Sequence, residues 1–249
     1  MKAEEVLLET RNLSVEFNGF RALTNINMKV RRGELRVIIG PNGAGKTTFM
    51  DLVTGRTKPT EGSVIFDGIN ITGKATAEIA GKYKIGRKFQ GPNVFDNMSV
   101  KENIEIALEG FETLLQCILF KKSRAFKERV NEILNKIDLY DYRHFAAGDL
   151  SHGQRQWLEM GMVIAQNPKL IILDEPTAGM TARETYKTGE MIKKLQGEHT
   201  IIVVEHDMDF VRQVAEYVTV LNYGELLAEG TMEEIQENQE VIAVYLKED

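Results

Sequence analysis

The sequence predicts an α/β fold, and three regions of the chain carry that prediction. The first third alternates apolar and polar residues, as in VLLETRNLSVEF, which is typical of half-buried strands. Residues 91–149 change character, and apolar side chains recur every three or four residues in the helical segment RAFKERVNEILNKIDL. From Pro168 onward, short apolar strands such as HTIIVVEH alternate with helical connections, which predicts a mainly parallel sheet covered on both faces.

Size and composition predict one folded domain over residues 1–249. The chain is 43% hydrophobic and 27% charged, which suffices to bury a sizeable core. Its net charge of −6 argues against nucleic acid as the main partner, because such binding needs a basic face. No apolar run approaches the roughly 18 residues of a membrane span, and the N-terminus lacks a signal-peptide pattern. We therefore expect a soluble protein of a reducing compartment, with Cys117 as a small buried apolar residue.

The strongest chemical signal is a glycine-rich segment between the buried strand ELRVIIG and the helix-like segment KTTFMDLVTG. Its sequence, GPNGAGKT, matches the phosphate-binding pattern G-x-x-x-x-G-K-[ST]. Glycines let backbone N–H groups turn toward phosphate oxygens, and the following helix adds its positive N-terminus. We expect Lys46 to reach the β- and γ-phosphates of ATP and Thr47 to ligate Mg²⁺. The candidate phosphate-binding residues are Asn42, Gly43, Ala44, Gly45, Lys46, Thr47 and Thr48.

A second candidate lies where the apolar strand LIILDE ends in two carboxylates. Asp174 stands where it could hold the hydration shell of Mg²⁺, and Glu175 could polarise the attacking water. Taken alone, an apolar run followed by Asp-Glu is equally typical of a strand that ends in a solvated turn. The phosphate-binding segment in the same chain favours the catalytic interpretation.

A third motif selects one family among the nucleotide hydrolases that share these two segments. LSHGQ precedes the helical segment QWLEMGMVIAQNP and lies about twenty residues before LIILDE. It resembles the signature motif of ATP-binding cassette (ABC) proteins, usually LSGGQ. At such a helix N-terminus, a serine hydroxyl and backbone N–H groups are offered to an anion. The resemblance implies that the γ-phosphate of ATP held by a partner cassette is bound by Ser151, His152, Gly153 and Gln154.

Three further positions resemble functional residues of this family. Gln90 in GRKFQ resembles the Q-loop glutamine, which touches Mg²⁺ and water and links the core to the helical lobe. His206 in VVEHD resembles the switch histidine near the γ-phosphate. Phe17 resembles the aromatic residue that stacks on adenine, with Phe20 as a competing candidate and a core position as the alternative for both.

The ordered motifs extend the resemblance over the whole chain, from Leu13 to about Leu246. The resemblance implies a P-loop NTPase fold with a RecA-like core, an N-terminal antiparallel β subdomain and a helical lobe inserted at about 91–149. It also implies that two cassettes sandwich ATP and Mg²⁺, and that the cassettes sit peripherally on the cytoplasmic face of the cell membrane, docked on permease subunits.

Longer segments resemble one group of importers. GRKFQGPNVFDNMSVKENI, EHDMDFV and VIAVYL are similar to ATPases of importers for branched-chain amino acids, amides and urea, and LSHGQRQWLEMGM with EPTAGMT is closest to the urea type. This implies a solute-binding protein in the full system. The alternatives are a cassette ATPase of chromosomes or ribosomes, which the lack of sustained heptads disfavours, and a non-catalytic regulatory cassette.

Two positions depart from the family pattern. His152 replaces the first signature glycine, and Thr181 stands where the D-loop usually ends in aspartate. One interpretation is a degenerate cassette. We favour subfamily variation, because Lys46, Asp174 and Glu175 are all present. Since His152 adds bulk near the facing nucleotide and Thr181 lacks a carboxylate, we expect slow ATP hydrolysis by the isolated chain and preference for a sibling cassette.

Overall fold

Ten strands form two sheets within residues 5–88, 94–109 and 123–245, the ranges that the computed structural model describes. Gln90 and Cys117 lie outside these ranges. In chain order the strands are β1 (Val6–Phe17), β2 (Phe20–Arg31), β3 (Leu35–Ile39), β4 (Glu61–Phe66), β5 (Ile69–Asn70), β6 (Ile85–Lys88), β7 (Leu170–Asp174), β8 (Thr200–Val204), β9 (Tyr217–Asn222) and β10 (Glu225–Gly230).

The two sheets differ in strand direction. The smaller sheet is antiparallel, with the order β2-β1-β4-β5, and the larger sheet has the order β10-β9-β3-β8-β7-β6. In the larger sheet, β3 pairs in parallel with β8 and β9, and β7 pairs in parallel with β6 and β8. β10 returns from β9 in the antiparallel direction. This architecture confirms the predicted α/β class with an N-terminal antiparallel sheet.

Helices connect the strands, and side-chain caps fix where several of them begin. A side chain of serine, threonine or aspartate accepts a hydrogen bond from a backbone N–H group at the start of five of them. The longer helices in the described ranges are α1 (Lys46–Val53), α2 (Val100–Glu109), α3 (Arg124–Lys136), α4 (His152–Ala165), α5 (Ala182–Leu195), α6 (Met208–Val214), α7 (Met232–Glu237) and α8 (Gln239–Tyr245). A helical turn, Thr76–Glu78, continues into the π-helical turn Ile79–Tyr83.

The parallel strands are buried on both faces, so their alternating side chains enter two different cores. One core joins a face of the large sheet to α2, α3, α4 and α5, and the other joins the opposite face to α1 and the small sheet. The buried residues that the large sheet contributes to the first core are Leu35, Val37, Ile39, Ile171, Leu173, Ile201, Val203, Val218 and Val220. Those that it contributes to the second are Ile38, Ile85, Leu170, Ile172, Ile202, Val204 and Leu221.

The segment predicted as a helical lobe contains α2 and α3, which pack on each other and on α4. Their apolar faces enter the same core as one face of the large sheet. The bounds of about 91–149 for the lobe stay a prediction, because part of that segment lies outside the described residues. In the ranges that the structure describes, none of the helices combines the length and apolar character needed to cross a membrane.

Candidate functional site

Parallel strands end at one edge of the large sheet, and β3, β7 and β8 bring predicted site residues there. β3 runs directly into the glycine-rich segment, and β7 ends at Asp174, followed by Glu175. β8 is followed two residues later by His206. β6 ends at Lys88, two residues before Gln90, which lies outside the described residues. Strand direction therefore collects residues that lie far apart in sequence.

The glycine-rich segment, residues 40–48, is the predicted phosphate-binding loop, and two of its glycines are required by their surroundings. Gly40 has a φ of 151° and Gly45 has a φ of 97°. A Cβ on Gly40 would lie 2.1 Å from the carbonyl oxygen of Leu221, and one on Gly45 would lie 2.5 Å from Cδ2 of Leu23. Helix α1 begins directly after this left-handed glycine, so its first N–H groups point toward the loop.

Lys46 lies within the phosphate-binding loop. Its Nζ donates to the carbonyl oxygens of Gly40 at 2.5 Å and Pro41 at 2.9 Å. A cation and a helix N-terminus therefore occupy the same short loop, and both attract a phosphate. The other predicted residues of the loop are exposed or half-buried, apart from the buried Ala44: Asn42, Gly43, Gly45, Thr47 and Thr48.

Asp174 is buried at the end of β7 and is paired with Arg87 of β6. Nη2 of Arg87 lies 3.1 Å from Oδ2 of Asp174, and its Nη1 lies 2.5 Å from Oδ1 of Asp51 on α1. Burial raises the pKa of the Asp174 carboxyl, and the hydrogen bond and charge of Arg87 oppose that shift. The sequence analysis missed Arg87, because nothing in GRKFQ shows that this arginine joins two strands to α1.

Glu175 and His206 lie side by side. Oε1 of Glu175 is 3.7 Å from Nδ1 of His206, and the two side chains are 30% and 69% exposed. Glu175 has a φ of 44°, a left-handed conformation that is uncommon for a residue other than glycine, and its N–H donates to the carbonyl of Val204 at 2.9 Å. The two predicted catalytic residues therefore share one solvent-accessible corner of the sheet edge.

Glu205 is a buried carboxylate that the sequence analysis did not select. Its Oε1 accepts hydrogen bonds from the N–H of Thr177 at 3.1 Å and from the Thr177 hydroxyl at 2.5 Å. Its Oε2 accepts from the N–H of His206 at 3.1 Å. Glu205 therefore ties the loop after β7 to the loop after β8 and fixes the backbone near Glu175. The available signal was a carboxylate that directly follows the apolar strand TIIVV.

The LSHGQ motif forms the N-terminus of α4. Ser151 and Gln154 make a capping box, in which Oγ of Ser151 accepts from the N–H of Gln154 at 3.2 Å and the Gln154 side chain accepts from the N–H of Ser151 at 3.0 Å. Gly153 is buried against α5, where a Cβ would lie 2.5 Å from Oε1 of Glu184. The ring of His152 is turned toward Ala178, with Nε2 at 3.0 Å from the carbonyl oxygen.

Phe17 and Phe20 face each other at the closed end of the β1–β2 hairpin, where they are paired across the strands. They are 45% and 70% exposed, so neither is a core residue. The strand that follows them touches the phosphate-binding loop, since a Cβ on Gly45 would lie 3.0 Å from the carbonyl oxygen of Ala22. The choice between the two aromatics for adenine stays a prediction.

Known proteins are similar to this chain in sequence. The ABC transporter family model matches residues 23–178, and the model for branched-chain amino acid ATP-binding cassette transporters matches residues 225–246. The chain is 36% identical to the high-affinity branched-chain amino acid transport ATP-binding protein BraF of Pseudomonas aeruginosa, over 97% of this chain and 98% of that protein.

Solved structures give the same result. The ATP-binding cassette MJ1267 in its ADP conformation has a TM-score of 0.84 and 32% identity, over 97% of this chain and 98% of that one. The dimeric post-hydrolysis structure of the cassette MJ0796 with ADP and phosphate has a TM-score of 0.75 and 27% identity, over 91% and 99%. The chain is thus an enzyme that binds and hydrolyses ATP, and it belongs to the ATP-binding subunits of ABC transporters.

Proposed function

We propose that this chain supplies the energy for uptake of a small polar solute through partner membrane subunits. The observation that carries the proposal is the sheet edge at which Lys46, Asp174, Glu175 and His206 meet. The name of BraF, a branched-chain amino acid transport protein, supports a branched-chain amino acid as the first solute to test. Amides and urea follow from the sequence resemblance.

Mg²⁺ is the proposed cofactor, and the donor set fits it. A hydroxyl from Thr47, a carboxylate from Asp174 and an amide oxygen from Gln90 are the oxygen ligands that this cation prefers. When bound with ATP, the cation would supply positive charge that offsets the charge of the phosphates. Arg87 keeps the buried Asp174 oriented at the end of β7, and the helix N-terminus of α1 holds the phosphates.

Glu175 is the proposed general base. Its exposed carboxylate can accept a proton from the water that attacks the γ-phosphate. His206, beside it, can donate a hydrogen bond to the γ-phosphate or to that water. Glu205 is a positioning residue, because it fixes the backbone of both loops through hydrogen bonds. Phe17 or Phe20 would stack on adenine.

The proposed active assembly contains two cassettes. Each ATP would lie between the phosphate-binding loop of one chain and the LSHGQ motif of the other, where Ser151, His152, Gly153 and Gln154 form the N-terminus of α4. The dimeric state of the structurally similar MJ0796 supports this arrangement. Permease subunits would hold the pair on the cytoplasmic face of the membrane, and a solute-binding protein would deliver the solute.

The test is transport in proteoliposomes that contain the chain, its partner cassette and the co-purified permease subunits, with the solute-binding protein present on the side opposite the cassettes. We expect ATP-dependent uptake of labelled leucine, acetamide or urea, and loss of that uptake with Glu175→Gln. Hydrolysis without uptake of any of the three would contradict the importer assignment. Failure of the chain to bind permease subunits would favour a regulatory cassette instead.

A further inference from the structure

The D-loop, residues Ala178–Thr181, is bonded to the LSHGQ motif of its own chain. Nε2 of His152 lies 3.0 Å from the carbonyl oxygen of Ala178. Because a carbonyl only accepts, Nε2 must carry the proton in this contact. Gly179, with a φ of 73°, lies against the ring, and a Cβ there would be 3.2 Å from Nε2. The ring therefore rests on the D-loop backbone, although the sequence alone suggested bulk directed at a facing nucleotide.

A second contact runs through Glu184 in the first turn of α5. Its Oε2 accepts from the N–H of Thr181 at 3.0 Å and from the Thr181 hydroxyl at 2.8 Å. Its Oε1 accepts from the hydroxyl of Ser151 at 3.4 Å. Gly153 leaves the space that this carboxylate occupies. One carboxylate therefore holds the end of the D-loop with one oxygen and the signature serine with the other.

The two helices behind these segments, α4 and α5, are also hydrogen-bonded to each other. Nε1 of Trp157 on α4 donates to the hydroxyl of Thr188 on α5 at 2.9 Å, in a buried position. Oγ1 of Thr188 lies 3.2 Å from Sδ of Met180, a D-loop residue. The base of the D-loop therefore packs on the same pair of helices that carry the bridging residues.

We propose that His152 and Glu184 are positioning residues that hold the D-loop against the signature motif, so that both segments meet a partner cassette as one preformed surface. This inference rests on the proposed function, in which both segments face the partner. Each departure from the family pattern has a bonding partner in this bridge, since His152 holds Ala178 and Thr181 is held by Glu184. Preorganisation of this kind reduces the ordering that association would otherwise require.

Two variants of His152 with side chains of similar size distinguish the effect of losing the hydrogen bond from the effect of losing the ring. His152→Leu removes the donor, whereas His152→Gln keeps an N–H that can reach the Ala178 carbonyl. Hydrogen exchange of the Ala178 and Met180 amides, which bond to the carbonyls of Glu175 and Thr177, reports on the D-loop. We expect these amides to exchange about fivefold faster in the leucine variant, because it loses one ordinary hydrogen bond. The glutamine variant should exchange at nearly the wild-type rate.

The ATP turnover rate of the assembled transporter tests whether the bridge matters for the contact with the partner cassette. We expect His152→Leu to lower kcat about fivefold in the complex with permease and partner cassette, and His152→Gln to restore it. The matched control is Lys194→Ala, an exposed residue of α5 that lies outside the bridge, and it should leave kcat at the wild-type value. Glu184→Ala combined with His152→Leu should lower kcat less than the product of the two single effects, since both act on one segment.

The outcomes separate this inference from the proposed function. Equal exchange in wild type and His152→Leu would overturn the bridge. Faster D-loop exchange with unchanged kcat would overturn the role of the bridge toward the partner cassette. A wild-type complex that hydrolyses no ATP would contradict the proposed function, while the exchange experiment would still decide whether the bridge exists.

Discussion

Asp174 and Glu175 are adjacent in sequence but occupy different environments. Asp174 is 3% exposed and faces the guanidinium of Arg87, whereas Glu175 is 30% exposed and faces His206. A fixed, buried carboxylate suits a metal shell, and an accessible one suits proton transfer to and from water. The left-handed backbone of Glu175 turns the chain sharply between them. The two adjacent carboxylates therefore differ in burial and in charged neighbour, and the different roles predicted for them stay a prediction that the variants below test.

Substitution of Lys46 tests the phosphate-binding loop. Lys46→Ala removes the cation from the loop. ATP affinity should fall by about a hundredfold, because roughly two charge-assisted hydrogen bonds to the phosphates are lost. Binding of a fluorescent ATP analogue to the purified chain measures this loss. Lys194→Ala, an exposed lysine on α5, is the matched control and should bind as wild type does. Undiminished binding by Lys46→Ala would refute the assignment of this loop.

Substitution of Glu175 separates binding from hydrolysis. Glu175→Gln keeps the size of the side chain and removes the base, so ATP binding should persist while kcat falls by about a hundredfold or more. Steady-state phosphate release measures kcat, and size-exclusion chromatography with ATP should show a trapped dimer. A variant that hydrolyses ATP at the wild-type rate would remove Glu175 from its proposed role.

At the scale of helices and strands, a buried ion pair joins β6 to α4. Nζ of Lys88 lies 3.6 Å from Oε2 of Glu159, and both side chains are about 95% or more buried. Burial lowers the pKa of Lys88, and the charge of Glu159 opposes that shift. The pair therefore connects the strand that leads to Gln90 with the helix that begins at LSHGQ.

Removal of one partner from this pair should destabilise the fold. Lys88→Met removes the cation that faces the Glu159 carboxylate, so the free energy of unfolding should fall by about 3–5 kcal/mol. The double variant Lys88→Met/Glu159→Leu should recover most of that loss, because neither charge is then buried. Urea unfolding followed by circular dichroism measures both changes. A double variant no more stable than Lys88→Met would contradict the pairing.

The start of α5 gives a pH-dependent prediction. Hydrogen bonds from Thr181, first from its N–H and then from its hydroxyl, lower the pKa of Glu184 below 4.5. A carboxyl with a lowered pKa in the folded state adds stability above its unfolded pKa, and that stability is lost as pH falls through the folded value. The stability difference between wild type and Glu184→Gln should therefore shrink in acid. Thermal unfolding at a series of pH values measures it, and a constant difference would contradict the cause given for the shift.

Strands with strong patterns were predictable, and strands with charged sequences were not. β3, β7 and β8 are apolar runs, and the sequence analysis found all three. It missed β6, whose sequence IGRK carries two charges that are satisfied by distant carboxylates. It also missed β10, a half-buried edge strand. Thr231 and Glu234 have the spacing of a capping box, and the structure shows that box at the start of α7. The sequence analysis overlooked the same spacing at Thr181 and Glu184, where α5 begins with a second capping box.

At the scale of the whole molecule, the direction of the strands explains most of what the sequence predicted about the site. Motifs that follow parallel strands must meet at one edge, so the positions of Asp174 and His206 beside the phosphate-binding loop followed from the predicted fold. Contacts between loops could not be predicted from the sequence, because no local pattern shows that Glu205 binds Thr177 or that His152 reaches Ala178. Those contacts join residues that are 28 and 26 positions apart.

The central claim is that ATP hydrolysis by this chain is completed by a second cassette and used by membrane subunits. The most direct measurement is the ATPase rate against protein concentration, for the chain alone and for its assembly with partner cassette and permease. A slow rate for the chain alone, a much faster rate in the assembly, and loss of that rate with Lys46→Ala are the predicted results. Rapid, strongly cooperative hydrolysis by the chain alone, with no response to the other subunits, would contradict the account.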